Sequence, residues 1–292
     1  MSKLLLIDGN SYLHRAFHAY PEMTSPKGAP TNAVYGTLKM MENLVSKVNP
    51  THFAVCLDSS KKTFRNSIYS EYKANRKPAP EALVSQFVLF RQVLSALDIT
   101  FFEDEQYEAD DLLGTVSQRA EGLLTMIATS DRDAIQLIDC RTTVLLYKNK
   151  GYVELSDGNL IMEFRPDQMV DIKALAGDAS DNIPGVPGVG KKTAIELVNK
   201  YGSAFGVIEN SGEIKGKLGE KIRANIDSIK MSYKLAVIKR DCPIDVNFDN
   251  LKLGVDIEIG DFVLASLGIR TINLNKFLLG EQQDASGQVA LF

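Results

Sequence analysis

Tyr107-Glu108-Ala109-Asp110-Asp111 sets three carboxylates within four residues, directly ahead of an apolar helical run from Leu112 to Ala120. Like charges this close raise one another's pKa unless a cation stands among them, and a hard divalent ion prefers oxygen ligands. Acids at a helix start also suit the helix dipole, which accounts for one of them as a cap but not for all three. Whether this stretch belongs to a cation site depends on whether the chain brings further acids to it.

Three apolar runs do so. Lys3-Leu4-Leu5-Leu6-Ile7 ends at Asp8, Thr51-His52-Phe53-Ala54-Val55-Cys56-Leu57 ends at Asp58, and Thr125-Met126-Ile127-Ala128-Thr129 ends in Ser130-Asp131-Arg132-Asp133. Each has the length and composition of a buried strand, and helical patterns over Tyr12–Ala19, Asn32–Val48 and Ala82–Leu97 lie between them. The alternation predicts an α/β fold with a mostly parallel central sheet flanked by helices. Phe101 and Phe102 suggest another strand, and 144–164 reads as short strands and turns. Open sheets of this kind bind ligands beyond the carboxyl ends of their strands, so Asp8, Asp58, Asp131 and Asp133 are expected to converge there. The stripe Tyr35, Leu38, Met41, Leu44, Val45 and Val48 reads as core, as does the run Phe262–Leu267.

A chain of 292 residues is long for one domain and predicts a large first domain with a distinct C-terminal part. Asp8 interrupts the first apolar run, so no signal peptide is expected, and no apolar stretch reaches membrane-spanning length. Cys56, Cys140 and Cys242 are scattered and odd in number, which argues against a disulfide framework or thiolate metal site and fits a cytoplasmic protein.

The net charge of -4 conceals its distribution. Lys61, Lys62, Arg65, Lys73, Arg76 and Lys77 face only Glu71 in their segment, and tyrosines 69 and 72 stand among them. Basic residues interleaved with aromatics can grip phosphates and stack on single-stranded bases. Lys73 and Arg76, three apart, are expected on one helix face. From Lys191 to Arg240 basic residues outnumber acidic ones roughly two to one, as on a surface following a phosphate backbone. His14 and His18 have the spacing of a transition-metal pair, but soft imidazoles do not match an all-carboxylate site.

Arg165-Pro166 marks the expected domain boundary. A helix over Gln168–Leu175 leads to Gly177-Asp178-Ala179-Ser180-Asp181-Asn182-Ile183-Pro184 and then Gly185-Val186-Pro187-Gly188-Val189-Gly190-Lys191-Lys192-Thr193. Glycines leave backbone N–H groups open, and the helix that follows offers its amino end to a phosphate. The pattern reads as a helix-hairpin-helix, in which Gly185, Gly188, Gly190, Lys191 and Lys192 hold duplex backbone. A Walker A loop is excluded because Lys192 occupies the Ser/Thr position and no strand precedes the loop. Asp178 and Asp181, read as one helical turn apart, extend the acidic set. A glycine-rich linker to Gly219 and helices over 220–237 complete the expected duplex-binding part.

These motifs together resemble the 5' nuclease, or flap endonuclease, family, and within it the 5'-3' exonuclease domain that precedes bacterial DNA polymerase I. The resemblance rests on Ile7-Asp8-Gly9-Asn10, Pro30-Thr31-Asn32-Ala33-Val34-Tyr35-Gly36, Tyr72-Lys73-Ala74-Asn75-Arg76, Tyr107 to Asp111, Asp131-Arg132-Asp133, and Gly177 through Thr193, and it runs to about Leu279. It implies a PIN-like nuclease core over 1–165 with a helical arch at about 60–97, and an H3TH duplex-binding region over 166–280. It also implies a metal set of Asp8, Asp58, Glu108, Asp110, Asp111, Asp131, Asp133, Asp178 and Asp181. Lys73 and Arg76 are implied at the scissile phosphate, Tyr72 as a stacking residue, Arg65 as a DNA contact, and a potassium ion at the hairpin. Ser130 departs from the glycine usual before Asp131, and Ala134-Ile135 from a leucine-rich pair; neither removes a ligand.

The implied activity is hydrolysis by two or more Mg2+ or Mn2+ ions of 5' flaps, nicked duplexes and RNA primers, in replication and repair, by a stand-alone monomer. On this reading Asp111→Ala or Asp131→Ala abolishes cleavage and spares DNA binding. A non-catalytic structure-specific DNA-binding protein and a metal-dependent ribonuclease are the alternatives. Residues 281–292 read as a flexible tail ending Gln288-Val289-Ala290-Leu291-Phe292, which resembles the peptide with which bacterial repair proteins bind the sliding clamp through Gln288, Leu291 and Phe292.

Overall fold

The computed structural model describes residues 2–59, 61–148, 151–157 and 163–278. Six strands, β1 (Lys3–Asp8), β2 (His52–Asp58), β3 (Phe101–Asp104), β4 (Leu124–Thr129), β5 (Thr142–Lys148) and β6 (Gly151–Leu155), form one sheet in the order β3-β2-β1-β4-β5-β6. Neighbours are parallel except β5 and β6, which are antiparallel. The mostly parallel α/β sheet expected from the sequence is therefore present, with an antiparallel edge.

Eleven α-helices are found among the described residues: α1 (Gly9–Ala19), α2 (Asn32–Val48), the short α3 (Phe64–Ile68), α4 (Glu81–Ala96), α5 (Ala109–Arg119), α6 (Met169–Ala176), α7 (Lys191–Tyr201), α8 (Ala204–Glu209), α9 (Gly216–Ala224), α10 (Ile226–Ala236) and α11 (Ile257–Ser266). Side chains alternate across a strand, so β1 serves two cores at once. Leu5 and Ile7 pack with Tyr12, Leu38, Met41 and Phe90 on the face covered by α1, α2 and α4, while Leu4 and Leu6 pack with Leu112, Leu113 and Val116 on the face covered by α5. Burial on both faces is why β1 and β2 read as unbroken apolar runs.

The chain lays β2 and β3 to one side of β1, then crosses to lay β4 and β5 on the other. That reversal opens a crevice beyond the carboxyl ends of β1 and β4, the usual ligand position in such sheets. Asp8 closes β1 at its edge.

In the C-terminal part, α6 and α7 are joined by the turn 177–190. Gly185 has φ of 60° and lies so close to Gly177 that a Cβ would sit 2.2 Å from its nitrogen, so only glycine fits there.

Four sequence expectations are corrected. The stretch after Gly202 is not a plain linker, because Ser203 accepts the Gly206 amide at 3.0 Å and starts α8. Lys73 and Arg76 do not share a helix face, since 70–76 forms turns and Lys73 has a left-handed φ of 57°. Asp178 and Asp181 are not on a helix but in a tight turn closed by two backbone bonds between Asp178 and Ile183, 2.8 and 2.9 Å long. Phe262 is likewise not core but 76% exposed on α11. No helix among the described residues is long and apolar enough to cross a membrane.

Candidate active site

The floor of the crevice is built from strand and helix ends. Asp8 caps α1 by accepting the Ser11 amide at 2.9 Å, and its other oxygen accepts the Thr129 hydroxyl at 2.6 Å. Asp58, at the end of β2, accepts the Ala109 amide at 2.7 Å, which ties it to the first turn of α5. Glu108 is the N-cap of that helix and Asp110 lies in its first turn. Asp131 follows β4, its amide donating to Thr129 Oγ1 at 2.9 Å. Asp8, Asp58, Glu108, Asp110 and Asp131 line one cleft of about 610 Å³, together with Lys73, Arg76 and the α1 residues His14, Arg15 and His18.

A second group of acids is gathered by a lysine. Lys173 Nζ lies 2.5 Å from both Asp133 and Asp178, and the Asp133 amide donates to Asp131 at 2.8 Å, linking this group to the cleft. Asp178 also accepts the Ser180 amide and hydroxyl, at 2.8 and 2.6 Å. Asp181 pairs with Arg76 at 2.5 Å, and Lys73 pairs with Glu108 at 2.9 Å.

Burial dominates the electrostatics. It pushes the Asp8 carboxyl up to about 7, with Asp58 and Asp131 adding to the rise, and holds Asp110 well above the ordinary carboxylate range. Burial also raises Asp58, and raises Asp133 to about 6. At Asp178 the bonds from Lys173 and Ser180 outweigh burial and lower the value. Raised in this way, Asp8 and Asp110 hold protons toward neutral pH, and a cation among them would favour their charged forms.

Among the described residues, no three acidic, histidine or cysteine groups close around a single point as a finished ion cage. Ammonium and guanidinium groups stand between them instead. The donor set still fits a hard divalent cation: it is all oxygen, it converges on one crevice and its charges repel.

Three expected site residues have a different role. Asp111 is fully buried, and its oxygens accept from Arg65 at 2.6 and 2.8 Å, from the Glu108 amide at 3.0 Å and from the Lys239 amide at 2.8 Å. Its carboxylate is engaged by these four donors and does not line the cleft. Arg65, 2% exposed, is the buried partner of Asp111. Tyr72 is 4% exposed, packed with Val170, Ile183 and Leu235, and its hydroxyl donates to Glu108 at 3.1 Å, so its ring is not free to stack on a base.

Gly190 caps α7, and Lys191 and Lys192 are exposed at the start of that helix, beside Gly188. His14 and His18 rest edge-on against Phe87 and Phe17. Sequence reasoning missed Lys173, although a single lysine inside the apolar helix Met169–Ala176, five residues before Asp178, is an anomaly that could have marked it.

Comparison with known proteins gives the family and the fold. Residues 3–165 match the family model described as 5'-3' exonuclease, N-terminal resolvase-like domain, and residues 164–256 match the 5'-3' exonuclease, C-terminal SAM fold. The chain belongs to the 5'-3' exonuclease family, a class of nucleases. It is 42% identical over 257 residues to DNA polymerase I of Bacillus caldotenax, covering 85% of this chain and 29% of that protein. With DNA polymerase I of Bacillus subtilis (strain 168) it shares 40% over 279 residues, covering 92% and 32%. The chain thus spans about a third of the length of these curated relatives. The bacteriophage T5 flap endonuclease, solved in a pseudo-enzyme-product complex with DNA and metal ions, has the same fold, with a TM-score of 0.66 and 18% identity over 94% of this chain and 96% of that one.

Proposed function

We propose that this chain is a divalent-metal-dependent, structure-specific 5' nuclease that hydrolyses phosphodiester bonds in 5' flaps, nicked duplexes and RNA primers paired to DNA. The observation that carries the reading is the cleft itself: Asp8, Asp58, Glu108, Asp110 and Asp131 line it together with Lys73 and Arg76. A phosphodiester is an anion, and an acid-floored cleft receives it only when cations intervene. Two Mg2+ or Mn2+ ions would supply a water-derived nucleophile and the charge that stabilises the departing 3' oxygen.

The chain's own residues do the rest. Asp8, Asp58, Glu108, Asp110 and Asp131, with Asp133, Asp178 and Asp181 alongside, would hold the ions. Lys73 and Arg76 would stabilise charge on the phosphate in the transition state. Division near residue 165 into a nuclease core and a helix-hairpin-helix region belongs to this proposal. In the second part Gly185, Gly188, Gly190, Lys191 and Lys192 would grip the duplex, with potassium at the turn; the supporting feature is the amino end of α7, whose N-cap Gly190 supplies no side-chain bond, beside two exposed lysines.

The reading extends to a cytoplasmic monomer whose residues Gln288, Leu291 and Phe292 dock on a sliding clamp. The tail lies outside the described residues, and its sequence alone supports that extension. Fluorescence anisotropy with a peptide ending at Phe292 tests it, and absence of binding to the cognate clamp at about tens of micromolar ends it.

One assay tests the enzyme reading. A labelled 5'-flap DNA and a matching single-stranded RNA are incubated with Mg2+ or with EDTA. Cleavage of the flap alone, and only with Mg2+, is expected. Binding without cleavage identifies a DNA-binding protein, and cleavage of the RNA alone identifies a ribonuclease.

A further inference from the structure

Between α3 and α4 the chain from Tyr69 to Pro80 makes turns, and Glu71, Ala74, Asn75, Arg76 and Lys77 are exposed. Tyr72 anchors it by packing with Val170, Ile183 and Leu235, while the residues after that ring, which include Lys73 and Arg76, two of the cations lining the cleft, have little burial of their own. Their ion pairs do not explain its order during turnover, because Lys73 leans on Glu108 and Arg76 on Asp181, carboxylates that the proposed metal ions would claim.

A second set of contacts uses no carboxylate. Asn75 Nδ2 donates to the Ala179 carbonyl at 2.7 Å, and Asn182 Nδ2 donates to the Glu71 carbonyl at 2.7 Å. Between them the Lys73 amide donates to the Asp181 carbonyl at 3.0 Å. Each asparagine thus bonds a carbonyl in the other's segment, and the Asp178–Ile183 turn, which receives Asn75 and carries Asn182, is closed by its own bonds. Asn182 has φ of 57° and Lys73 the same, so both residues sit in the left-handed region, where a long-range partner must hold a lysine.

We propose that Asn75 and Asn182 are positioning residues: their reciprocal amide-to-carbonyl bonds fasten the segment bearing Lys73 and Arg76 to the acidic turn 178–183. The two cations then keep their place over the cleft when Glu108 and Asp181 bind metal. The clasp acts through Lys73 and Arg76 and touches neither metal nor phosphate. This inference deepens the nuclease reading and rests on it, but the clasp can also be read without cleavage.

The test uses the full chain with Asn75→Ala and Asn182→Gly, the latter keeping a left-handed backbone while removing the amide. Trypsin cuts after Lys73 and Arg76, so nicking there in saturating Mg2+, read by mass spectrometry, reports whether the segment is held. Both variants are expected to be nicked faster than the wild type at these sites alone. Their single-turnover flap cleavage should fall by about tenfold or more, while Kd for the flap in Ca2+ stays unchanged. Asn75→Ala should add nothing to the loss in a Lys73→Ala, Arg76→Ala background.

Unchanged nicking in both folded variants overturns the clasp, whatever the rate does. Faster nicking with an undiminished rate overturns the positioning role. Faster nicking in variants of a wild type that cleaves no flap leaves the clasp standing and removes the nuclease reading. Should Asn182→Gly fail to fold, the exposed Asn75→Ala decides alone.

Discussion

Arg65 and Asp111 face each other through two parallel hydrogen bonds of 2.6 and 2.8 Å, with side chains 3% and 0% exposed. Removing one partner of such a pair strands the other charge in protein, at about 3–5 kcal/mol. Asp111→Ala should therefore unfold at markedly lower temperature, whereas Asp110→Ala should not. Replacing both partners, Arg65→Met with Asp111→Leu, should recover most of the loss. Thermal melts of the four proteins check this; a normal melt for Asp111→Ala together with lost metal binding would return Asp111 to the ligand set.

The metal-free protein should be less stable at pH 8 than at pH 5. Asp8 and Asp133 are raised to about 7 and about 6 in the folded chain, so the folded state holds protons that the unfolded state has released. Protonation therefore favours folding, and this contribution is lost as pH climbs through those values. Saturating Mg2+ should flatten the difference. Melting curves in EDTA and in Mg2+ at the two pH values measure it, and a metal-free chain more stable at pH 8 contradicts it.

Lys173 competes for the oxygens of Asp133 and Asp178 that a cation would use. Lys173→Met should lower stability in EDTA, since the two carboxylates lose their shared ammonium, and should tighten Mn2+ binding severalfold. Calorimetric titration with Mn2+ decides; weaker binding would make the ammonium a support of the site rather than a rival to the ion.

Gly185→Ala should break the turn between α6 and α7, because its Cβ would lie 2.2 Å from the Gly177 nitrogen at a φ of 60°. The left-handed conformation alone costs about 1–2 kcal/mol for a residue with a side chain. Loss of duplex affinity with an intact nuclease core is the expected result, read as a weaker Kd and a shallower salt dependence in Ca2+.

Much of the fold is legible because its strands advertise themselves: apolar runs that end in aspartate are rare, and Asp8, Asp58 and Asp131 mark three carboxyl ends of one sheet. The antiparallel β6 is not visible, since short runs after Val144 carry no signal of direction. The site's errors share one cause. Spacing suggested a helix through Lys73 and Arg76, but long-range bonds to Asp181 and Asn182 override local preference there. Residue type suggested that Arg65 meets phosphate and Tyr72 meets a base, yet each is claimed by a buried partner elsewhere in the chain. Phe262 looked like core because a helix pattern does not say which face has a neighbour.

The acid-bearing turn 178–183 reaches back to segments that were completed far earlier in the chain: Asp178 to Asp133 through Lys173, Asp181 to Arg76, Asn182 to Glu71. During synthesis, a ribosome that has released only the sheet has exposed half a blade. The proposed cutting power would then arrive late, once the turn emerges and docks, and a nascent chain lacking the turn would not yet have it.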